Sequence, residues 1–464
     1  MIPATPRAAH PRHPPHRRHG PKAEARLARG AAIVAAAWLG GACNQAFGLD
    51  PVALDDATSR DAVDVVDGAA CGPVGAADVP GGAAIDGLFA RGVAGAAMYG
   101  SRVFLVGTTD SRATDGVFAA MTFPATSGAQ WSTRSIGGDS NDQLWAVAST
   151  GAELLAGGMT RSFQNSGLDE GLVIRIDAAG ALTGRRMRAA MAIQIRALAV
   201  ATAGEWWLAG AAGSAGFLAR LNPGATTLAA TSFTVDGAQP WPRRVVDSPD
   251  DSAAPFVVGQ LGGGTETGFV ARVDREPNGG DASWAVTVPM EVFDAAWFDA
   301  SLWVAGNAGA DGVLLRFDAA GALRGAWLVP RRPLHRVDRR GATTWLGGAT
   351  SSGVFVATLD GDCVAGTDLA ALTPSQPLRA PLPLGLGGAV PFLVGRVGTS
   401  ARIIALGEDG SATCGVPFTA TREPTTLSPR AATYAAGAPL SLAYEAVTAV
   451  GAVSNLGDQA TTCP

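Results

Sequence analysis

The fold is decided by a stretch that occurs twice, GLVIRIDAAGAL at Gly171–Leu182 and GVLLRFDAAGAL at Gly312–Leu323. In each copy an apolar run that opens with glycine is followed by DAAGAL, where Asp and Gly are typical of a tight turn and Ala-Leu begins a return strand. The copies are 141 residues apart, which is three times 47. The stretch therefore predicts a hairpin turn inside a unit of about 47 residues.

An apolar or aromatic strand that ends in glycine recurs with nearly the same period. The copies are VFLVG, ELLAG, WWLAG, PFVVG, LWVAG, TWLGG and PFLVG, and they end at Gly107, Gly157, Gly210, Gly259, Gly306, Gly348 and Gly395. Their spacings are 50, 53, 49, 47, 42 and 47 residues. Further strand-like segments lie before and after each copy, and four short strands per unit of this length are typical of a propeller blade.

The sequence thus predicts an all-β chain, a β-propeller of about seven four-stranded blades over residues 92–421. A ring lets each blade bury both faces against its neighbours. The remaining residues, 422–464, include the strand-like PLSLAYEAVTAV and are expected to close the ring or to form a partial extra blade. With 61 Gly, 29 Pro and 16% charged residues, the composition is too apolar for disorder and favours many short strands.

Residues 1–42 are expected to be a signal peptide. A long basic segment precedes the apolar run GAAIVAAAWLGGA, which is too short to span a bilayer. The small residues before Cys43 resemble a bacterial lipobox, which implies that Cys43 is lipidated and becomes the mature N-terminus. Ordinary secretion with cleavage near Ala42 is the alternative. We therefore expect an exported protein, anchored in the outer membrane or at the cell surface, with a periplasmic or secreted location left open.

Residues 43–91 are rich in Asp, Ala and Gly and are expected to form an acidic, flexible tether. The leader carries seven of the 35 basic residues and one of the 40 acidic residues, so the rest of the chain has 28 and 39. An acidic body without a cluster of Lys or Arg argues against nucleic acid as a partner.

The run Gly100–Thr160 resembles the SBBP-type β-propeller repeats of secreted bacterial proteins. The resemblance is carried by a Gly-bounded strand, a tryptophan strand, the Gly-Gly-Asp turn at 137–139 and an Asp-Gly turn. Similar units recur over most of residues 92–421, although the Gly-Gly-Asp turn is kept in one unit only. The resemblance implies a propeller and export, and it implies no activity, because that family is defined by architecture.

The residues that could carry chemistry are few. After the leader His335 is the single histidine, and it is expected to be structural, so no catalytic residue, metal site or cofactor is predicted. Carboxylates that could serve a glycan-active hydrolase or lyase all fall in predicted turns, where Asp is expected for local hydrogen bonds; they are Asp169–Glu170, Asp250–Asp251 and Asp360 with Asp362. The leading expectation is a non-catalytic propeller that binds protein or polysaccharide, with that extracytoplasmic enzyme as the alternative.

Four cysteines remain after Cys43, and an exported chain is expected to pair them. Four cysteines allow three pairings, and the hypothesis is that Cys71–Cys463 ties the two chain ends and Cys363–Cys414 links the last two units.

Ligand recognition is predicted at the ring centre. Arg196, Arg244 and Arg336 fall in the predicted innermost strands, where they could attract an anionic ligand. Their alternative role is to pair with the nearby acidic residues Asp247, Asp294 and Asp338. The loops after the glycine strands differ between units, which is compatible with recognition.

Overall fold

The computed structural model describes residues 83–85, 88–89, 92–109, 116–123, 131–136, 140–163, 167–176, 182–201, 204–222, 228–248, 254–262, 267–273, 283–350, 353–369, 384–385, 391–397, 400–407, 411, 416–447 and 453–456. All of them belong to one unit of the chain, Ala62–Pro464. The predicted signal peptide and its lipidated Cys43 lie outside the described residues, as do Cys71, Cys414 and Cys463. Within the described ranges, no helix has the length and apolar character needed to cross a membrane.

The described chain is built from strands. Blade 1 contains β2 (Val93–Tyr99), β3 (Arg102–Thr108), β4 (Gly116–Thr122) and β5 (Trp131–Ile136), after a short β1 (Ala83–Ile85). Blade 2 contains β6 (Asp142–Ser149), β7 (Leu154–Thr160), β8 (Glu170–Ile176) and β9 (Leu182–Arg188). Blade 3 contains β10 (Ile193–Val200), β11 (Trp206–Ala212), β12 (Ala215–Leu221) and β13 (Leu228–Val235).

The second half continues the pattern. Blade 4 contains β14 (Pro240–Val246), β15 (Phe256–Leu261), β16 (Gly268–Arg272) and β17 (Trp284–Val288). Blade 5 contains β18 (Glu291–Phe298), β19 (Ser301–Ala308), β20 (Asp311–Phe317) and β21 (Leu323–Val329). Blade 6 contains β22 (Leu334–Arg340), β23 (Thr343–Ala349), β24 (Val354–Asp360) and β25 (Cys363–Leu369). The seventh sheet contains β26 (Leu384–Gly385), β27 (Phe392–Val397) and β28 (Ser400–Ala405), and its fourth strand is β1.

The molecule is a β-propeller, but the prediction of four-stranded blades is wrong for six of its sheets, which have five strands each. The fifth strands come from the C-terminal segment: β29 (Val416–Thr421), β30 (Glu423–Pro424), β31 (Arg430–Ala432), β32 (Tyr434–Pro439), β33 (Ala443–Val447) and β34 (Val453–Leu456). They pair antiparallel with the outer strands of blades 6, 5, 4, 3, 2 and 1, in that order. We call the segment that runs from the start of β29 to the end of β34, with the residues between its strands, the strap.

Neither expected role of the C-terminal segment matches this arrangement. The strap neither completes the seventh sheet nor starts an extra blade. It runs backwards around the ring and covers one sheet edge after another. The seventh sheet is completed from the other end of the chain, because β1 pairs antiparallel with β28, from Ala83 opposite Ile403 to Ile85 opposite Ala401. Residues 83–85, predicted to belong to the tether, are therefore part of the propeller.

Seven apolar clusters hold the ring, one between each pair of neighbouring sheets. The cluster between blades 3 and 4, for example, packs Trp207 and Phe233 against Val257 and Phe269, all fully buried. Equivalent clusters follow between every other pair, including the seventh sheet with blade 1 and blade 6 with the seventh sheet. The apolar runs GLVIRI and GVLLRF are buried along most of their length, because both faces of each blade are covered.

The second DAAGAL copy is the predicted hairpin turn and joins β20 to β21. Asp318 Oδ1 accepts hydrogen bonds from the backbone N–H groups of Ala320 at 3.0 Å and Ala322 at 2.9 Å. Gly321 has a φ of 86°, which a side chain would disfavour. The turn of the first copy, 177–181, lies outside the described residues.

Candidate binding site

Each of the first six innermost strands contains a β-bulge near its first residue. The register with the second strand skips one residue per blade. A bulge leaves one residue outside the ladder and redirects its side chain. The skipped residues are Ala94, Trp145, Arg196, Arg243, Phe293 and His335.

The repeated strand-ending glycine is explained by this bulge. A Cβ at that glycine would overlap the backbone carbonyl oxygen two residues before the bulge residue. This holds for Gly158 against Gln143, for Gly210 against Gln194, and for Gly259 against Trp241. The same contact recurs in the three other bulged blades, at Gly107, Gly306 and Gly348. In blade 2 the glycine in contact is Gly158, so the predicted equivalent, Gly157, is wrong by one residue.

The bulge residues surround the ring axis at one end. Innermost strands contact the innermost strand of the next blade, as β2 does with β6 and β14 with β18. The bulge lies at the start of the innermost strand, opposite the end of the second strand. The variable loops join the second strand to the third, so antiparallel pairing puts them at the same end. We call Trp145, Arg196, Arg243, Phe293 and His335 the collar.

Side chains of the collar contact one another around the ring. The Arg196 guanidinium lies 4.0 Å from the ring centre of Trp145 and 5.0 Å from that of Trp241, a cation–π arrangement with an indole on each of two blades. Arg243 lies 5.5 Å from the ring centre of Phe293, whose ring is 4.3 Å from that of His335. The collar therefore combines two cationic and three aromatic groups across blades 2 to 6.

A relay of hydrogen bonds orients the Arg196 guanidinium. Its NH2 group donates to Gln194 Oε1 at 2.7 Å, and Gln194 Nε2 donates to Asp169 Oδ2 at 2.6 Å. Arg161 Nε donates to Asp169 Oδ1 at 2.5 Å. Burial lowers the pKa of Arg196 to about 10, and Asp169 counteracts that shift, so the guanidinium is charged at neutral pH. Arg196 Nε has no hydrogen-bond partner.

His335 is held neutral in the collar. Burial lowers its pKa to about 4, and the nearby positive charge of Arg243 acts in the same direction. Its Nδ1 atom has no hydrogen-bond partner. His335 is therefore an uncharged aromatic surface next to Phe293 at neutral pH.

The other two predicted arginines lie next to the collar and are paired. Arg244 Nε is 3.4 Å from Asp294 Oδ1, and Arg336 Nε is 3.3 Å from Asp294 Oδ2. The same carboxylate accepts a hydrogen bond from Val337 N at 3.1 Å, and Arg336 NH2 also donates to Asp338 Oδ2 at 3.3 Å. Asp294 is fully buried, and burial raises its pKa while the two guanidinium groups oppose the rise.

The three predicted arginines are thus in innermost strands, β10, β14 and β22, but at two different kinds of position. Arg196 is a bulge residue, whereas Arg244 and Arg336 follow the bulge and flank one buried carboxylate. The alternative given for the three arginines is pairing with nearby acidic residues. Arg244 and Arg336 make such pairs, with Asp294 and, for Arg336, also with Asp338. Asp247 instead accepts a hydrogen bond from Trp207 Nε1 at 2.8 Å.

Three of the carboxylates considered for a hydrolase have arginine partners. Asp169 is bonded to Arg161, and Glu170 lies 3.3 Å from Arg186 and 3.2 Å from Arg188. Asp362 accepts a hydrogen bond from Arg422 at 2.9 Å. Asp250 and Asp251 lie outside the described residues. No group of three His, Cys, Asp or Glu that could hold a metal occurs in the part of the chain that the structure describes.

Sequence reasoning missed most of the collar, namely Trp145, Arg243 and Phe293, together with Trp241. One signal could have found these bulge residues. The bulge residue stands 13 residues before the glycine in contact with the bulged strand in four of the six blades, as Trp145 does before Gly158 and His335 before Gly348. The offset grows to 14 residues for Arg196 and 16 for Arg243 because their hairpins are longer.

Comparison with known proteins adds little beyond the fold. No family model matches the chain, and no curated protein matches it. The β-propeller domain of the Trilobed protease from Pyrococcus furiosus, described as having an open velcro topology, matches with a TM-score of 0.35 and 8% identity over 69% of this chain and 96% of that chain. The PQQ-bound aldose sugar dehydrogenase from Streptomyces coelicolor matches with a TM-score of 0.34 and 12% identity over 60% of this chain and 94% of that chain. Both likenesses are too weak to support an argument about activity.

Proposed function

We propose that this chain is a non-catalytic binding propeller that holds a carboxylate-bearing protein or polysaccharide at the collar end of its channel. The observation that carries the proposal is the Arg196 guanidinium between Trp145 and Trp241. A guanidinium whose faces contact indoles presents its remaining N–H groups at its edge, and that edge matches a carboxylate. The variable loops at the same end would supply selectivity.

Binding is favoured over hydrolysis by the state of the carboxylates. A glycosidase needs two carboxyl groups free to exchange protons with substrate. Asp169, Glu170, Asp294 and Asp362 instead bond or pair with arginines. Oxygens that are bonded to or paired with a guanidinium are not free to exchange a proton with a substrate, even though burial raises the pKa of Glu170 and Asp294.

We further propose the cellular setting that the sequence predicts. The chain would be exported, anchored through lipidated Cys43 to the outer membrane or cell surface, and related to the SBBP-type repeat proteins. The acidic tether would hold the propeller away from the membrane. Metabolic labelling with a palmitate analogue tests the anchor: wild type is expected to incorporate the label and Cys43→Ser to lose it, whereas an unlabelled wild type contradicts the proposal.

The binding proposal is tested with the purified full-length chain and three probes: a polyuronate, a neutral dextran and a poly-glutamate peptide. We expect the carboxylate-bearing probes to bind at low salt and the dextran not to bind, with the tighter of the two polymers distinguishing polysaccharide from protein. Arg196→Met keeps the apolar contact with the indoles but removes the charge. It is expected to weaken binding at least about tenfold, since a charge-assisted hydrogen bond is worth about 1.5 to 3 kcal/mol.

The matched control is Arg324→Met, because Arg324 is an exposed arginine, on blade 5, that pairs with Asp318. It is expected to bind like wild type. Equal binding by Arg196→Met and wild type, or no binding of either acidic polymer by wild type, contradicts the proposal. Release of new reducing ends from the polyuronate over time would instead establish the hydrolase or lyase.

A further inference from the structure

The strap is an addition to a ring that is complete without it. Every one of blades 1 to 6 has four strands of its own before the strap is counted. Among the described residues, no buried member of the seven inter-blade clusters belongs to the strap. The strap supplies only partly buried side chains, such as Leu427, Tyr434 and Leu442. The ring core therefore does not depend on strap residues.

Each strap strand is held by a ladder of two to six residue pairs and by a few side chains. Phe418 packs edge-on against Phe355, with ring centres 5.8 Å apart, and contacts the Arg332 guanidinium. Arg422 lies 4.1 Å from the ring centre of Trp327 and donates to Asp362. Most strap residues are exposed or half-buried. Segments with few buried contacts open at lower free energy than the core.

The remaining attachment points are equally specific. Asp236 and Thr433 exchange hydrogen bonds, with Asp236 N donating to Thr433 O at 2.8 Å and Thr433 N donating to Asp236 Oδ1 at 2.7 Å. Glu445 lies 2.7 Å from Arg186 and 3.3 Å from Arg188 on β9. These two points join strap residues to blades 3 and 2, whereas Phe418 and Arg422 contact blades 6 and 5, so different parts of the strap fit different blades.

Removal of the strap would leave the outer strands of six blades with unpaired N–H and C=O groups. Unpaired edges accept a further strand. A strand that fits the existing register and side-chain contacts is supplied by any second copy of the same chain, since exchange of an identical element preserves every local contact.

We propose that the strap is exchangeable: the outer edges of blades 1 to 6 form a strand-accepting surface, and its fitting partner is the strap of a second copy of this chain. This surface is separate from the collar and does not depend on the proposed ligand.

The test starts from the folded full-length protein. A protease recognition sequence is inserted between Gly415 and Val416, and the folded chain is cut there under reducing conditions, so that the strap is held without a covalent bond. Isotopically heavy peptide of residues 416–456 is then added in tenfold excess, and native mass spectrometry follows the complex. We expect the heavy peptide to replace most of the original strap while circular dichroism reports a folded ring.

Peptide variants show whether recognition follows the contacts described. A heavy peptide with Phe418→Ala and Arg422→Ala is expected to compete at least tenfold less well than wild-type peptide. Thr426 is exposed, so a Thr426→Ala peptide is the matched control and is expected to compete like wild type. Equal competition by all three peptides would overturn the proposal.

A second experiment tests exchange of the strap between two copies of the chain and uses uncut chains. Light and heavy chains are mixed at high concentration, warmed below the temperature at which the ring unfolds, and cooled. We expect dimers containing one light and one heavy chain, measured by light scattering and native mass spectrometry, and more of them for the Arg422→Ala chain. Absence of mixed dimers, retention of the cut strap up to ring unfolding, or collapse of the ring when the strap leaves would each overturn the proposal.

Discussion

A glycine near the end of the second strand and the bulge of the innermost strand beside it meet at one contact, yet the two positions differ in how freely their sequence varies. The contact glycine is the same in all six bulged blades, whereas the bulge residue is alanine, tryptophan, arginine, phenylalanine or histidine. A backbone carbonyl leaves no room for a side chain at the glycine, while the bulge side chain points out of the ladder. The propeller thus keeps its backbone geometry constant and changes its chemistry at the adjacent position.

Substitution of two neighbouring glycines of blade 6 tests this comparison most directly. A Cβ at Gly348 would overlap the carbonyl oxygen of Pro333, whereas a Cβ at Gly347 would meet Arg336 Cβ at 3.4 Å, an ordinary contact. We expect Gly348→Ala to lower the free energy of unfolding by about 4 kcal/mol, at the upper end for single substitutions. Gly347→Ala should cost less than about 1 kcal/mol. Denaturant unfolding measures both, and equal costs would show that the bulge does not select the glycine.

The next largest effect is expected at the paired arginines beside the collar. Asp294→Ala leaves Arg244 and Arg336 without their shared buried carboxylate and should cost about 3 kcal/mol. Asp318→Ala, which removes two turn hydrogen bonds and the half-buried partner of the exposed Arg324, should cost about 1 to 2 kcal/mol. Thermal unfolding of both variants gives the comparison. Similar losses of stability in the two variants would mean that the buried charge pairs next to the bulge contribute no more to stability than the pair at the surface.

A smaller loss of stability is expected at His335, which is neutral in the collar, when the pH is lowered. The pKa of His335 is near 4 in the folded protein and near 6.5 when exposed. Between these values the unfolded chain binds a proton that the folded chain does not, so stability falls as pH decreases from 6.5 to 4. The loss should be about 2 to 3 kcal/mol over that range, because each unit of pKa is worth about 1.4 kcal/mol and proton binding is incomplete at both ends of the range.

The measurement is the difference in unfolding free energy between wild type and His335→Gln across that pH range, because carboxylates titrate in both proteins. The difference should change in favour of the variant as pH falls. A constant difference would place His335 in contact with solvent, outside the packed collar.

Much of the ring followed from local pattern. The glycine strands, the glycine-opened strands after them and the turn at Asp318 are contacts between residues close in sequence, and each leaves a repeated signature. The predicted innermost segments, such as the one around Ile195, are the innermost strands of the structure. The collar was hidden because the bulge changes the alternation of side chains, so Arg196 and Arg244 look equivalent in sequence but occupy different positions.

The strap could not have been predicted in the same way. Its strands are short and contain proline, and apolar residues such as Val416 and Ala431 occupy exposed positions. The sequence therefore does not show the alternation that the burial of β29 follows. Its contacts join residues far apart in the chain, as Glu445 with Arg186 across 259 positions. Which blade each strap strand covers depends on where the ring has already placed its edges.

By itself the sequence determined the repeat, its period and the all-β propeller, because a strand that must bury both faces and turn every few residues leaves glycine, aspartate and apolar runs at regular intervals. Only the tertiary structure decided the fifth strands, the pairing of β1 with β28, and the collar of arginine and aromatic groups. These features are contacts between residues that are distant in the chain. Closure of the ring determines which of these groups meet, and local sequence preference does not.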